Sequence, residues 1–191
     1  MADKDREKWN NKYHSKPDLL SPRPASRFVI KYYDDCGGKQ ALDLACGSGR
    51  NALFLCEEGF FVDAVDISSI ALASISRKKC DNINLIETDL DDYTPKKKYY
   101  DFIIMTNFLD RDLIERSKIG LKVGGIFIIE TYMVDEKNEK KDSNSDFLLK
   151  AKELQTLFKD EFEILSYDEF WNETYEKYRM KKQAIVAKKI Y

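Results

Sequence analysis

The stretch Ala41-Leu42-Asp43-Leu44-Ala45-Cys46-Gly47-Ser48-Gly49-Arg50-Asn51-Ala52 decides the fold. Its first five residues are apolar apart from Asp43, which predicts a buried strand. Gly47 and Gly49 predict a tight turn, and the apolar periodicity of residues 51–56 predicts a helix directly after it. A strand that turns through glycines into a helix makes a ligand cradle, because the first helical N–H groups lack partners and glycine lets a ligand approach the backbone closely.

Two classes of ligand use such a cradle. Residues 47–52 fit the pattern G-x-G-x-x-G/A, which is typical of dinucleotide binding. Residues 43–49 (D-L-A-C-G-S-G) also resemble the first motif of class I S-adenosylmethionine-dependent methyltransferases. Asp43 favours the second class, because a carboxylate repels a pyrophosphate and attracts the ammonium and sulfonium cations of S-adenosylmethionine. The structural alternative is an aspartate that only caps the turn or the next helix.

The remaining periodicity predicts alternating helices and strands. Further strands are expected over residues 60–65, 83–87, 100–106 and 125–132, with helices over 25–33, 70–80, 111–121 and most of 147–158. The penultimate strand is expected to begin with residues 162–167, and the last strand to cover residues 178–190. No helix separates them, so they must be antiparallel. The sequence therefore predicts an α/β, Rossmann-like three-layer sandwich with a seven-stranded, mostly parallel sheet and an antiparallel C-terminal hairpin.

We expect residues 1–191 to form a single domain, with residues 1–35 as an N-terminal arm and 36–191 as the core. Prolines at positions 17, 22 and 24 predict that the arm is broken into short pieces. Trp9 and Tyr13 either pack the arm on the core or form a lid over a cofactor. Residues 123–125 predict a turn, and the charged residues 135–145 predict an exposed loop.

The second strand ends in Asp66, 17 positions after Gly49. An acidic residue at that spacing can accept both ribose hydroxyls of an adenosine, although it can also cap the following helix. The methyltransferase resemblance further implies that Asp89, after the third strand, binds the adenine amino group. The predicted cofactor-binding residues are Asp43, Ala45, Cys46, Gly47, Ser48, Gly49, Asn51, Asp66, Ile67, Asp89, Leu90, Thr106 and Tyr13.

Composition excludes several classes of partner. The chain has 191 residues and a net charge of −2, without the basic footprint of a nucleic-acid-binding protein. It has no apolar run long enough for a membrane span. The charged N-terminus lacks the apolar segment of a signal peptide, which predicts a cytoplasmic protein. The expected partner is a small-molecule methyl acceptor, with no nucleic acid and no membrane.

Cysteine and histidine usage argues against a metal site. The four cysteines, at positions 36, 46, 56 and 80, form no C-x-x-C pair, and His14 is the only histidine. A two-histidine metal site or a Ser-His-Asp triad is therefore not expected. Cys46 is interpreted as a small apolar filler of the cradle.

Residues 9–13, 43–51, 59–66 and 122–125 together resemble one branch of the class I methyltransferases, the tellurite-resistance-type enzymes and, more distantly, the thiopurine methyltransferases. The resemblance implies S-adenosylmethionine as cofactor. Two departures from that branch bear on the acceptor. The segment between the fourth and fifth strands is short, and residues 173–179 contain one arginine and no histidine where a tellurite enzyme is expected to carry a histidine and several arginines, which argues against an oxyanion acceptor. An N-P-P-Y or D-P-P-Y motif is also absent, which argues against N-methylation of a base or a glutamine.

Methyl transfer from a sulfonium needs the nucleophile held in line with the methyl carbon. A soft sulfur, selenium or tellurium nucleophile needs no general base, whereas a hydroxyl or ammonium acceptor does. The candidate catalytic residues are Glu130 and Tyr132, at the end of the fifth strand, and Arg111, beside the expected acceptor. Two other functions stay open: a non-catalytic module that binds S-adenosylmethionine or a partner, and an NAD(P)-linked oxidoreductase.

Overall fold

The computed structural model describes residues 2–78, 80–174 and 176–191. Six α-helices occur in these ranges: α1 Ala2–Ser15, α2 Arg27–Tyr32, α3 Arg50–Glu57, α4 Ser69–Ser76, α5 Arg111–Gly120 and α6 Glu153–Leu157. The strands described there are β1 Gln40–Leu44, β2 Phe61–Asp66, β3 Ile83–Glu87, β4 Tyr100–Thr106, β5 Leu121–Tyr132, β6 Phe162–Trp171 and β7 Lys181–Lys189.

The seven strands form one sheet in the order β3-β2-β1-β4-β5-β7-β6. The first five are parallel, and β7 runs antiparallel to both β5 and β6. The predicted fold class is confirmed, including the antiparallel C-terminal hairpin. The chain order reverses between β1 and β4, and the crevice beyond the carboxyl ends of the strands at such a point is where open α/β sheets bind ligands.

Apolar side chains cover both faces of the sheet. Every residue of β4 is buried. Phe102 and Ile104 pack into one cluster with α3 and α4, while Ile103 and Met105 pack into the other with α5 and α6. A strand buried on both faces needs such an unbroken apolar run, which is why the sequence marks β4 clearly.

The N-terminal arm is broken at its prolines, as predicted, but it begins with a helix that the sequence did not predict. Residues 2–15 form one continuous helix, α1, followed by a 3₁₀-helix, Pro17–Leu20. The three prolines all lie after Ser15, so none of them interrupts α1. The predicted helix over residues 25–33 is shorter and begins after Ser26, whose hydroxyl accepts a hydrogen bond from the N–H of Phe28.

The prediction of a helix over most of residues 147–158 is largely wrong. Only a 3₁₀ turn, Ser145–Phe147, and the short α6 are helical. Leu149 instead bridges to Met133 and exchanges backbone hydrogen bonds with Tyr132 and Val134. Tertiary pairing with the end of β5 therefore overrides the local helical pattern.

Other element ends differ by smaller amounts. Residues 123–125 lie inside β5 as an irregularity in its pairing with β4, with Gly124 at φ +81°. Helix α4 ends at Ser76 rather than at residue 80, and residue 79 of the predicted helix lies outside the described residues. Strand β6 continues to Trp171, and the exposed loop over 135–145 contains one buried side chain, Asn138.

Candidate cofactor-binding site

The turn between β1 and α3 forms the predicted cradle at the carboxyl end of the sheet. Ala45, Gly47 and Gly49 adopt left-handed φ values of 53°, 54° and 73°. The N–H of Cys46 donates to the carbonyl of Val65 on β2 at 3.0 Å, which fixes the turn against the neighbouring strand. A Cβ atom at residue 47 would lie 3.1 Å from Tyr13 Oη, so a side chain there would be strained in its backbone and would crowd Tyr13.

Asp43 is completely buried beneath this turn. Its Oδ2 accepts a hydrogen bond from the N–H of Ala52 at 3.1 Å, but its Oδ1 has no partner. Burial raises the pKa of the Asp43 carboxyl to about 7, against the opposing effect of the Arg50 charge. An unsatisfied buried carboxylate oxygen destabilises the free protein. A cationic ligand would supply the missing partner, so this residue fits S-adenosylmethionine.

Asp66 joins the cradle to the start of α4. Its Oδ2 accepts from the N–H of Gly47 at 2.8 Å, and its Oδ1 accepts from the N–H of Ser68 at 2.9 Å. Burial raises the pKa of Asp66, while these backbone donors oppose the rise. The cap of α4 is Ser68, whose hydroxyl accepts from the N–H of Ala71. Each Asp66 oxygen keeps a further lone pair, so ribose hydroxyls can still donate to it.

The other predicted cofactor residues surround the same turn. Asn51 Oδ1 accepts from the N–H of Ser26 at 2.9 Å, and its Nδ2 donates to Thr106 Oγ1 at 3.2 Å, so these two side chains brace α3 against the arm and β4. Cys46 is buried, and burial raises the pKa of its thiol well above its usual value. Ser48 lies in the turn, Ile67 follows β2, and Asp89 and Leu90 follow β3; Leu90 is buried and the other three are half-buried.

Helix α1 lies over the cradle. Asn10 Oδ1 accepts from the hydroxyl of Ser68 at 2.6 Å, and its Nδ2 donates to Ser69 Oγ at 3.4 Å. Tyr13 is half-buried above Gly47, and burial raises the pKa of its phenol. The structure therefore brings the arm together with the residues predicted to hold the cofactor.

Charged side chains next to the cradle pair with one another. Glu130 is buried and accepts hydrogen bonds from Ser26 Oγ at 2.6 Å and from Lys182 Nζ at 3.4 Å. Lys182 also donates to Glu176 at 3.2 Å, and the Tyr132 hydroxyl donates to the same carboxylate. Burial and the Glu176 charge raise the pKa of Tyr132, so its phenol stays protonated at neutral pH.

Arg111 forms hydrogen bonds with the segment that precedes α6 and with Glu153, the first residue of α6. Its Nε donates to Glu153 Oε1 at 2.6 Å, and its Nη1 and Nη2 donate to the carbonyls of Asp146 and Leu148. The Glu153 carboxylate raises the pKa of this guanidinium, against burial. The geometry gives Arg111 a structural role, while a part for Arg111, Glu130 or Tyr132 in chemistry stays a prediction.

Three side chains at the site were not predicted from the sequence. Arg50 lies inside the decisive stretch, and its position next to Gly49 was the available signal. Asn10 reaches the site on α1 and lies within residues 9–13, which carry part of the family resemblance, whereas no local pattern marks Lys182 on β7. Among the described residues, we find no group of three or more His, Cys, Asp and Glu side chains that could hold a metal. None of the described helices is long and apolar enough to cross a membrane.

Comparisons with known proteins agree with this geometry. A probable S-adenosyl-L-methionine-dependent methyltransferase TehB of Haemophilus influenzae is 32% identical over 140 residues, covering 68% of this chain and 48% of the relative. Hemagglutinin 1 of Eikenella corrodens is 30% identical and covers 82% of this chain and 54% of its own length. The chain thus spans about half the length of the curated relatives it matches.

Solved structures share the fold. The crystal structure of TehB from Haemophilus influenzae superposes with a TM-score of 0.76 at 24% identity, covering 94% of this chain and 66% of that one. The family model described as tellurite resistance protein TehB matches residues 8–184. This match, together with the relative named as a methyltransferase, assigns the chain to the class I S-adenosylmethionine-dependent methyltransferases. Within that class the chain belongs to the TehB family.

Proposed function

We propose that this chain transfers the methyl group of S-adenosylmethionine to a small-molecule acceptor with a soft sulfur, selenium or tellurium nucleophile. The observation that carries the proposal is the buried, unpartnered Oδ1 of Asp43 beside a glycine turn. A fixed negative group at that position complements a cationic nucleoside and opposes a diphosphate. Membership of the TehB family supports methyl transfer, and the name of the Haemophilus influenzae relative, a probable S-adenosyl-L-methionine-dependent methyltransferase, supports the same donor.

The donor would be held by residues from four parts of the chain. Asp43 would face its cationic end, Asp66 would accept from its ribose hydroxyls, and Asp89 and Leu90 would contact its adenine. Tyr13 would cover it from α1. When bound, S-adenosylmethionine supplies a methyl group already activated by the sulfonium charge. The protein's task is then to exclude water and to align the acceptor.

The acceptor is inferred from the charged groups beside the cradle. Glu130 and Glu176 both accept hydrogen bonds from Lys182, and Tyr132 is a donor. Each candidate base therefore already has a hydrogen-bond partner within the protein. A soft nucleophile needs no base, whether it is a thiolate or the reduced form of a selenium or tellurium oxyanion. This favours a soft acceptor over an amine or a hydroxyl.

A nucleic-acid substrate and a membrane partner are not part of this proposal, since the net charge is −2 and neither class of partner is favoured by the composition. We also propose a cytoplasmic location. That location is reducing, so the disulfide between Cys56 and Cys80 would open there.

The test is a methyl-transfer assay with radiolabelled S-adenosylmethionine and a panel of small thiols, selenite with a thiol reductant, tellurite with a thiol reductant, and small amines. We expect transfer to the sulfur, selenium or tellurium acceptors and none with Asp43→Ala. Transfer to amines alone would contradict the soft acceptor. Tight binding of S-adenosylhomocysteine without any methylated acceptor would instead support the non-catalytic binding module.

A further inference from the structure

A pair of cysteines joins two helices that border the cradle. Cys56 lies in the last turn of α3, and Cys80 lies in the segment after α4. Their Cα atoms are 6.4 Å apart, within the range that a disulfide spans without movement of the backbone. Cys56 is buried, whereas Cys80 is half-buried. A reagent in solution therefore reaches this pair through Cys80.

The segments that the bond joins also build the cradle. Helix α3 begins directly after the glycine turn. The ring closed by the disulfide runs from Cys56 to Cys80 and contains β2 and α4. Asp66, at the end of β2, accepts hydrogen bonds from the N–H groups of Gly47 and Ser68 at 2.8 and 2.9 Å. The bond therefore constrains the far ends of the two helices whose near ends surround the turn.

Ile75 connects Cys80 to the glycine turn. The N–H of Lys78 donates to the carbonyl of Ile75 at 2.8 Å, and the N–H of Cys80 donates to the carbonyl of Lys78 at 2.9 Å. Ile75 is buried, and a Cβ atom at residue 49 would lie only 2.6 Å from its Cδ1 atom. The last turn of α4 is thus packed directly against Gly49. A bond from Cys80 to α3 holds this contact in place.

The other two cysteines are free. Cys46 is buried in the cradle, and burial raises the pKa of its thiol well above the usual value. Burial also raises the pKa of the Cys36 thiol. Because the thiolate is the reactive form, both residues react slowly with disulfides at neutral pH. They serve as internal controls for the bonded pair.

We infer that Cys56 and Cys80 form a reversible redox switch that controls the affinity for the donor. The disulfide form holds the cradle in its binding geometry, and the dithiol form, in which the end of α4 is released, binds the donor more weakly. The inference rests on the proposed function, since it concerns the affinity for the same donor. In a reducing compartment the dithiol form prevails, so oxidising conditions raise the affinity.

Oxidation by a small-molecule disulfide, such as oxidised glutathione, takes two exchange steps. The Cys80 thiol loses its proton, and its sulfur attacks one sulfur of the reagent, which releases one glutathione and leaves a mixed disulfide. The Cys56 thiol then loses its proton, and its sulfur attacks the Cys80 sulfur, which forms the bond and releases the second glutathione. The protein loses two electrons and two protons, and the reagent gains both.

The test measures the dissociation constant of S-adenosylhomocysteine by isothermal titration, with the unsubstituted protein in its disulfide form and after reduction by a phosphine. We expect the reduced protein to bind at least about fivefold more weakly, the lower end of ordinary coupling between two sites. Cys80→Ser should bind with the weaker affinity whether or not the phosphine is present. Cys36→Ser is the matched control and should keep the full difference between the two redox states.

Thermodynamic linkage gives a second measurement that needs no substitution. If oxidation tightens the binding of S-adenosylhomocysteine by a given factor, saturating S-adenosylhomocysteine must shift the equilibrium with glutathione towards the protein disulfide by the same factor. Alkylation of the free thiols followed by mass spectrometry measures that equilibrium with and without the ligand. An equilibrium that the ligand does not move would contradict the switch.

Ile75→Val tests the connection to the turn, because it removes Cδ1, the Ile75 atom nearest to a Cβ at residue 49. It should bring the ratio of the two affinities closer to one. Ile126→Val is the matched control, since Ile126 is a buried isoleucine of the same hydrophobic cluster but lies on β5. It should keep the ratio of the unsubstituted protein. An unchanged ratio in Ile75→Val would contradict the connection.

Equal affinities in the two redox states, or tighter binding by the reduced protein, would overturn the switch and leave the proposed function intact. An absence of S-adenosylhomocysteine binding in both states would overturn the proposed function and the switch together. One set of titrations therefore distinguishes the two failures.

Discussion

At the residue scale, Asp43 combines two properties that are costly in a free protein. It is completely buried, and one of its oxygens has no hydrogen-bond donor. Burial raises its pKa to about 7 from an ordinary value near 3.8. Perturbed carboxyl groups of this kind concentrate at functional sites, because the ligand restores what folding removed.

The raised pKa of Asp43 predicts how binding depends on pH. Only the ionised carboxylate attracts the ligand ammonium, and the ionised fraction falls as the pH drops below the pKa of about 7. We therefore expect the affinity for S-adenosylhomocysteine to rise with pH up to about 7 and to level off above it, with a slope approaching tenfold per unit on the acidic side. Titration calorimetry between about pH 5.5 and 8.5 measures this.

Asp43→Asn is the control for that dependence, because the amide cannot ionise over this range. The neighbouring Asp66, Tyr13 and Cys46 remain in the variant, so any slope that they cause would persist. A slope that is equally steep in Asp43→Asn would contradict the assignment of the pH dependence to Asp43.

Glycine 47 provides a second prediction at this scale. Gly47→Ala places a Cβ atom at φ +54° and 3.1 Å from Tyr13 Oη. We expect a loss of stability of about 1–2 kcal/mol from the left-handed backbone and, in addition, at least a tenfold loss in affinity for S-adenosylhomocysteine. Thermal unfolding and titration calorimetry measure the two effects.

Gly59→Ala separates the two effects, since Gly59 has φ +83° but nothing within 4 Å of an added Cβ atom. It should lose comparable stability and keep the affinity. If Gly47→Ala binds S-adenosylhomocysteine as tightly as Gly59→Ala does, the ligand does not approach the turn closely.

Many individual residues of the site could be predicted, because glycines and carboxylates at strand ends form a local sequence pattern. Asp43, Gly47 and Gly49 could be predicted from the turn alone. Lys182 could not, because a lysine in a strand is usually exposed, and only the fold places it between Glu130 and Glu176. Long-range ion pairs of this kind have no spacing pattern along the chain.

At the element scale, α1 is the least expected feature. Its fourteen residues are mostly exposed, yet Asn10 and Tyr13 reach the cradle. We predict that α1 slows ligand release. Asn10→Ala removes the hydrogen bonds to Ser68 and Ser69 and should raise the dissociation rate of S-adenosylhomocysteine several-fold, as measured by stopped-flow fluorescence.

Glu7→Ala is the matched control for α1, because Glu7 lies on the same helix with an exposed side chain. It should leave the dissociation rate unchanged. Equal rates in Asn10→Ala and the unsubstituted protein would mean that α1 only packs on the core, which is the other interpretation of the arm.

The disulfide between Cys56 and Cys80 connects the end of α3 to the segment after α4. Closing a loop with a sequence separation of 24 residues stabilises a protein by about 3 kcal/mol in the chain-entropy account. Reduction should therefore lower the midpoint of thermal unfolding by roughly 5–10 °C. Calorimetry with and without a phosphine reductant measures the shift.

Cys36→Ser should still respond to the reductant, because Cys36 is a free cysteine, whereas Cys80→Ser should not. Identical midpoints in oxidised and reduced protein would contradict the bond. This pairing could not be predicted, since the spacing of the two cysteines matches no motif and only the packing of α3 and α4 brings them together.

Element boundaries were harder to predict than element types. The helix expected over residues 147–158 failed because Leu149 pairs with the end of β5, a contact about sixteen positions away along the chain. The long helix α1 was not predicted, because the three prolines of the arm follow it and cannot break it. Tertiary pairing therefore explains the first difference, and the position of the prolines explains the second.

At the scale of the whole molecule, the type of sheet could be predicted from the sequence: mostly parallel, covered on both faces, and with an antiparallel C-terminal pair. Fully buried β4 required helices on both faces, and the short connection between β6 and β7 required an antiparallel pair. The reversal of chain order between β1 and β4 lies where the glycine turn, Asp66 and the C-terminal half of α1 meet. The proposed chemistry depends on that convergence more than on any single residue.

The most direct measurement of the central claim is a titration of the intact chain with S-adenosylhomocysteine, S-adenosylmethionine and NAD under one set of conditions. The buried carboxylate of Asp43 predicts binding of the two adenosyl ligands in the micromolar range or tighter, weakened at least tenfold by Asp43→Ala, and no measurable binding of NAD. Binding of NAD alone, or affinities for the adenosyl ligands that do not change in Asp43→Ala, would contradict the account.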